Sequence, residues 1–145
     1  MLLPHVSSSK TRSVNVSPYR IDWDRLCKSK FQFNVKQFLR AYWMGDDCYE
    51  ELPVVGTRLT CDLVNFSRMY AIESDGKFHL KFSAFHHKNR IGFLKSLKRD
   101  QQKDAWLRSI GFRIIRISEE EINKLSLDWI KEKFGNDITQ KYEAD

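Results

Sequence analysis

The stretch Arg58-Leu59-Thr60-Cys61-Asp62-Leu63-Val64-Asn65-Phe66-Ser67-Arg68-Met69-Tyr70-Ala71-Ile72-Glu73-Ser74-Asp75-Gly76-Lys77-Phe78-His79 sets the reading of the whole chain. From Arg58 to Phe66 the residues alternate, with Leu59, Cys61 and Leu63 on one face and Thr60, Asp62 and Val64 on the other. That period of two predicts a strand. Arg68–Ser74 is a denser apolar run around Met69-Tyr70-Ala71-Ile72, as expected of a central strand covered on both faces. Asn65-Phe66-Ser67-Arg68 joins the two, a connection of hairpin length.

Working outward, Val35, Phe38, Leu39 and Tyr42 recur at helical spacing and predict an amphipathic helix capped by Asn34 and stopped near Gly45. Residues 46–56 are acidic and turn-like, with Pro53 and Gly56. Downstream, Leu80–Gly92 is aromatic, basic and irregular. A helix is predicted from Gly92 or Phe93 to Ile110, ended by Gly111, followed by a strand over Phe112–Ile117. Ser118 with Glu121 forms a capping box that is expected to open a last helix. That helix would bury Ile122, Leu125, Trp129 and Ile130 and close at Gly135. Residues 1–20 read as an extended or poorly ordered basic arm and 136–145 as a frayed tail, leaving one domain over 21–135. The expected fold class is α/β (α+β): helix, two antiparallel strands, helix, strand, helix around a mixed sheet.

With 145 residues, 41% hydrophobic and 13% aromatic, the chain has the composition of a folded domain. No apolar run is long enough to span a membrane, and the first residues lack the pattern of a signal peptide. Cys27, Cys48 and Cys61 have no CxxC spacing, which argues against a disulfide framework and a Cys-rich zinc site and for an intracellular protein. The net charge of +6 is unevenly spread. Residues 1–44 carry eight Lys/Arg against two acids, and residues 77–116 carry eleven against two. Between them, residues 45–76 carry two Lys/Arg against seven acids. Two basic blocks suit a polyanion held along two surfaces, and the acids between them suit a divalent cation placed beside phosphate.

In a strand, residues two apart share a face, so Glu73 and Asp75 are expected to project together, with Asp62 of the partner strand reaching the same point if it shares that face. Carboxylates brought together raise one another's pKa and destabilise the fold unless a cation intervenes. Ser-Asp-Gly alone reads as a turn; the combination with Asp62 and with His79, a proton-transfer group near neutral pH, favours chemistry. Asp100 and Lys103 continue the helical face of Leu107 and Ile110 and are expected to point inward toward the same end of the sheet, the alternative being a solvated pair at the rim. His86-His87 reads as a surface or nucleic-acid contact, because adjacent residues rarely ligate one ion together.

The segments Cys61-Asp62-Leu63-Val64, Ala71–His79, Asp100–Leu107 and Gly111–Arg116 resemble the Vsr-like branch of the PD-(D/E)xK nucleases, over about residues 57–120. That branch includes the very short patch repair endonucleases and the phage homing endonucleases called EDxHD. The resemblance is nearest to a free-standing phage homing endonuclease. It implies an αβββαβ core, Mg²⁺- (or Mn²⁺-) dependent cleavage of double-stranded DNA, and, for cutting both strands, a homodimer. If phage-encoded, the protein would work in the cytoplasm of a bacterial host. By position, Asp62 falls on the family's metal-binding Asp, Glu73 on the acid of (D/E)xK and Asp75 where the superfamily has Lys. His79 falls on the branch's catalytic His and Asp100 on a recurrent acid of the following helix. The catalytic set is therefore Asp62, Glu73, Asp75, His79 and Asp100, with Asp62, Glu73 and Asp75 on the metal, and Glu50 or Glu51 a further acid. Cys61 replaces the motif's Pro, no Lys follows Glu73, and the cysteines do not reproduce the zinc site of true Vsr enzymes. Phosphate contacts are expected from Arg12, Arg20, Lys28 and Lys30, from Lys77, Lys81, Lys88 and Arg90, and from Lys95, Lys98, Arg99 and Lys103. The competing expectations are a mismatch- or structure-directed nicking nuclease and a non-catalytic DNA-binding module.

Overall fold

A computed structural model of the chain describes residues 1–75 and 87–140, with Asp75, residues 87–89 and Ile122 described for their backbone. Two short strands, β1 (Leu2–Pro4) and β2 (Thr11–Ser13), pair antiparallel. Helix α1 (Lys30–Trp43) precedes β3 (Cys48–Pro53), β4 (Thr60–Asn65) and β5 (Tyr70–Asp75). Helix α2 (His87–Ile110), β6 (Arg113–Ser118) and α3 (Leu127–Phe134) complete the chain. Among the described residues the main sheet runs β3-β4-β5-β6, antiparallel except for the parallel β5–β6 pair. The fold is mixed α+β, and from α1 to β6 the elements follow the order α, β, β, β, α, β.

The central hairpin forms, Leu63 pairing with Ile72 and Asn65 with Tyr70, but the expected alternation breaks at Asp62, so that Cys61 and Val64 pack in one cluster and Leu63 in the opposite one. The turn between them is fastened by the Arg68 amide, which donates to Asn65 Oδ1 at 2.9 Å. Each face of the sheet buries its own apolar cluster. On one side Val35, Leu39 and Trp43 of α1 and Ile130 of α3 meet Leu63, Tyr70, Ile72 and Ile115. On the other, Trp106 and Leu107 of α2 and Leu3 of the N-terminal hairpin meet Leu52, Cys61, Val64 and Ala71.

Several local expectations are corrected. Residues 1–20 do not form a loose arm: Leu3 is buried, the Val6 amide donates to the Val55 carbonyl at 2.9 Å, and Trp106 Nε1 donates to the Pro4 carbonyl at 2.7 Å. Helix α1 starts earlier than Asn34, because Ser29 caps it by accepting from the Gln32 amide at 3.1 Å. The acidic segment 46–56 contains a strand rather than only turns. The capping box at Ser118 and Glu121 forms, but it opens a 3₁₀ segment, Glu119–Lys124, and α3 begins afresh at Ser126. Residues 136–140 are not frayed. Ile138 and Thr139 are buried, and Trp43 Nε1 donates to the Ile138 carbonyl at 2.6 Å. Arg68 ties the same segment down through the carbonyls of Asp137 and Gln140 while it pairs with Asp46 at 2.6 Å. Residues 141–145 lie outside the described residues. Among the described residues, no helix is long and apolar enough to cross a membrane.

Candidate active site

Strand alternation sends Tyr70 and Ile72 toward α1, and Ala71 and Glu73 toward α2. Glu73 consequently lies under α2, only 2% exposed. A carboxylate at that depth needs partners, and Lys103, one helical turn before the buried Leu107 on the same face, supplies one. Its ammonium lies 3.1 Å from Glu73 Oε2 and 3.2 Å from the Thr60 carbonyl. The other oxygen, Glu73 Oε1, is buried and has no hydrogen-bond partner. Burial, and next the negative charge of Asp62, push the Glu73 carboxyl from an ordinary value near 4.5 up to about 8, against the pull of Lys103 and Arg116. The Lys103 ammonium is in turn held charged by Glu73 and Asp62, which together outweigh its burial.

Asp62 reaches the same place from β4. The β4–β5 ladder is closed between Leu63 and Ile72 and is not continued to Asp62. There Asp62 Oδ2 takes the place of a backbone partner, accepting from the Ser74 amide at 2.9 Å and the Ser74 hydroxyl at 2.8 Å. The opposite ladder passes over Asp62 as well. Glu50 pairs with Leu63 and Leu52 with Cys61, while Glu51 between them has φ +54°. Such a backbone is uncommon outside glycine.

Asp62, Glu73 and Ser74 open into a cleft of about 270 Å³ whose far wall is Ser96, Arg99, Asp100 and Lys103 of α2, with Arg116 of β6 at its base. Arg116 sits beside Glu73 in the parallel register. It pairs with Asp104 and approaches Asp100 Oδ2 at 3.8 Å. The cleft thus alternates carboxylates with cations.

The structure brings together Asp62, Glu73 and Asp100 of the expected catalytic set. The side chain of Asp75 lies outside the description, as do His79, Lys77, Lys81, His86 and the Lys88 side chain; the backbone of Asp75 ends β5. Among the described residues, no group of three or more His, Cys, Asp or Glu stands ready to hold a metal ion. Glu50 and Glu51 do not line the cleft. Glu50 is buried with Lys36 at 2.9 Å and Arg25 at 2.7 Å, and Glu51 is held by Lys28, Gln32 and Thr60. Of the expected phosphate contacts, Arg12, Lys30, Arg90, Lys95, Lys98 and Arg99 are exposed. Arg20 stands over the Tyr49 ring and near Asp47 at 3.6 Å, and Lys28 pairs with Glu51 at 3.0 Å. Lys103 faces Glu73 instead of solvent. Ser74 and Arg116 are site residues that the sequence reading did not pick out. Their roles depend on cross-strand register, which a linear pattern does not carry. In comparisons with known proteins, no family model, no curated protein and no solved structure matches the chain.

Proposed function

We propose that the protein is a Mg²⁺- (or Mn²⁺-) dependent, sequence-specific DNA endonuclease of homing type, built on a PD-(D/E)xK core and acting on double-stranded DNA as a homodimer. The observation that carries the reading is the buried Glu73 carboxylate, with one oxygen on Lys103, the other without a partner, and Asp62 beside it. A structural ion pair would use both oxygens, whereas an acceptor left open next to a second carboxylate matches the needs of a hard cation. Mg²⁺ takes one or two carboxylates and keeps several waters, so Asp62 and Glu73 suffice as a core donor set, and Asp75 would extend it. When bound, the ion would neutralise charge developing on the phosphate and acidify water. The α, β, β, β, α, β order with a parallel β5–β6 pair agrees with the core that the resemblance implies.

In this reading the chain's own groups divide the work. Ser74 fixes the Asp62 carboxylate through two hydrogen bonds, leaving Oδ1 for the cation. Lys103 fixes Glu73. Arg99, exposed at the rim of the cleft, meets a phosphate of the substrate. His79 moves the proton, taking one from the attacking water or giving one to the leaving oxygen. The test is selection of cleaved sites from a randomised duplex library with Mg²⁺ present. A defined cut site is expected, lost in Asp75→Ala and in His79→Ala. Mg²⁺-dependent cleavage persisting in either variant removes that residue from the mechanism, and no cleavage by the wild type refutes the nuclease reading.

A further inference from the structure

Helix α2 is 24 residues long, close to 36 Å at 1.5 Å per residue. Its fully buried positions among the described residues are Trp106 and Leu107, near its C-terminus; from Arg90 to Ala105 none is fully buried. Helices in proteins draw most of their stability from an apolar face packed on a core. The described residues of the first half of α2 include no fully buried apolar side chain. Its outward side instead exposes Ile91 at 48%, Leu94 at 51% and Leu97 at 36%.

The charges of this half are one-sided. Residues 87–99 contain five Lys/Arg and no Asp or Glu. A second copy of the same face would bring like charges together, which argues against self-pairing. On a helical projection Lys98 falls between Ile91 and Leu94, with Lys95 on the other flank of Ile91. Apolar and basic residues are therefore interleaved, whereas a helix lying on a membrane segregates them to opposite faces. Interleaving is what a helix needs inside a groove that presents thymine methyl groups and base edges between two rows of phosphates. The face is also continuous with the reaction centre: Arg99 lines both the cleft and a surface hollow shared with Lys95, Lys98 and Gln102.

We infer that the outward face of α2 from Arg90 to Gln102 is the sequence-reading element, a helix laid in the major groove next to the cleft. Ile91 and Leu94 meet base edges, and Arg90, Lys95 and Lys98 meet the flanking phosphates. The inference rests on the endonuclease reading and deepens it, assigning specificity to a surface that the chemistry does not use. A length of about 20 Å from residue 87 to residue 99 enters a groove about 12 Å wide as a single helix does.

The experiment compares site selection from a randomised duplex pool by the full-length wild type, by Ile91→Ala/Leu94→Ala and by Lys95→Gln/Lys98→Gln, with binding measured across a salt series. All four positions are exposed, so circular dichroism should report folded variants. The apolar variant is expected to relax the preference at two or three adjacent base pairs by about tenfold each while keeping the salt slope. The basic variant is expected to weaken all sequences alike and to reduce the salt slope by about two. A wild type that selects a site, with the apolar variant selecting the same site equally sharply, overturns the groove assignment and leaves the nuclease reading standing. A wild type that neither binds nor cuts the pool overturns both. Self-association or anionic-vesicle binding that the apolar variant abolishes, with site preference unchanged, also overturns the assignment, in favour of a second copy or a lipid surface.

Discussion

Replacing Glu73 by Gln should make the metal-free protein more stable while ending its chemistry. The carboxyl is lifted from near 4.5 to about 8 by burial and by Asp62, so at pH 7 the native state holds a proton that the unfolded chain has released. At about 1.4 kcal/mol per pKa unit, keeping that proton at pH 7 costs roughly 3 kcal/mol. Glutamine keeps the shape and one oxygen for Lys103 without this cost. The pull of Lys103 is already contained in the value of about 8, so the net gain at pH 7 is about 3 kcal/mol. For a chain of this length that raises Tm by about 6–12 °C. The sign follows the proton. Below pH 4.5 native and unfolded carboxyls are both protonated and the variant has no advantage. Between pH 4.5 and 8 the wild type loses stability as pH rises, and above pH 8 the loss is complete. Thermal unfolding in EDTA should therefore show little difference at pH 4.5 and the full gap at pH 8. At pH 7 saturating Mg²⁺ should reverse the order, because a ligand at about a thousand times its Kd adds about 4.1 kcal/mol to the wild type alone. A variant less stable than the wild type at pH 8 in EDTA would refute the reasoning and make Glu73–Lys103 a plain structural ion pair.

Asp62→Asn keeps an acceptor for Ser74 but removes the charge that raises Glu73; Mg²⁺-dependent cleavage should fall at least about a hundredfold, with no loss of metal-free stability in a melt. Lys103→Met removes a cation that favours ionised Glu73, so the pH midpoint of Mg²⁺ binding by calorimetry should move up by about one unit. An unchanged midpoint, with weaker duplex binding in EDTA, would make Lys103 a phosphate contact instead. Arg68→Ala leaves the buried Asp46 carboxylate without its cation, held by Asn65 Nδ2, and releases the carbonyls of Asp137, Ile138 and Gln140. Urea unfolding should show a loss of about 3–5 kcal/mol, and a loss under 1 kcal/mol would mean that the C-terminal segment is held by Ile138 alone.

What the sequence made legible follows from which signals are local. The β4–β5 hairpin and the end of α2 at Gly111, whose φ is +113°, are written in a period of two and in one turn residue. Strand β3 was hidden because Glu50-Glu51 and Pro53 break its alternation. Glu50 can face inward only because Lys36 and Arg25, distant in sequence, neutralise it. The N-terminal hairpin rests on one buried residue, Leu3, too little for any periodic signal. At the site, helical spacing placed Lys103 and Asp100 on the inward face correctly. The pairing of Lys103 with Glu73, the bracing of Asp62 by Ser74, and the presence of Arg116 at the cleft base all require the strand order.

Several departures from regular structure gather near one place, while another, the left-handed backbone of Met69, lies in the β4–β5 turn. The β3–β4 ladder passes over Asp62, Glu51 opposite it adopts a left-handed backbone, and the β4–β5 ladder gives way to a side chain where Ser74 meets Asp62. One strand over, Glu73 leaves a buried oxygen unpaired; among the described residues Thr139 Oγ1, in the C-terminal segment, is the other such atom. Each departure costs free energy that an apolar or fully paired substitute would avoid. Glu73 and Asp62, which face the cleft beside α2, lie away from the exposed basic residues of that helix's outer side. The common feature of the gathered departures is that they splay two strands and aim carboxylates into one cleft. Under the proposed reading, a cation held between Asp62 and Glu73 would offset that cost more fully than Lys103 does alone.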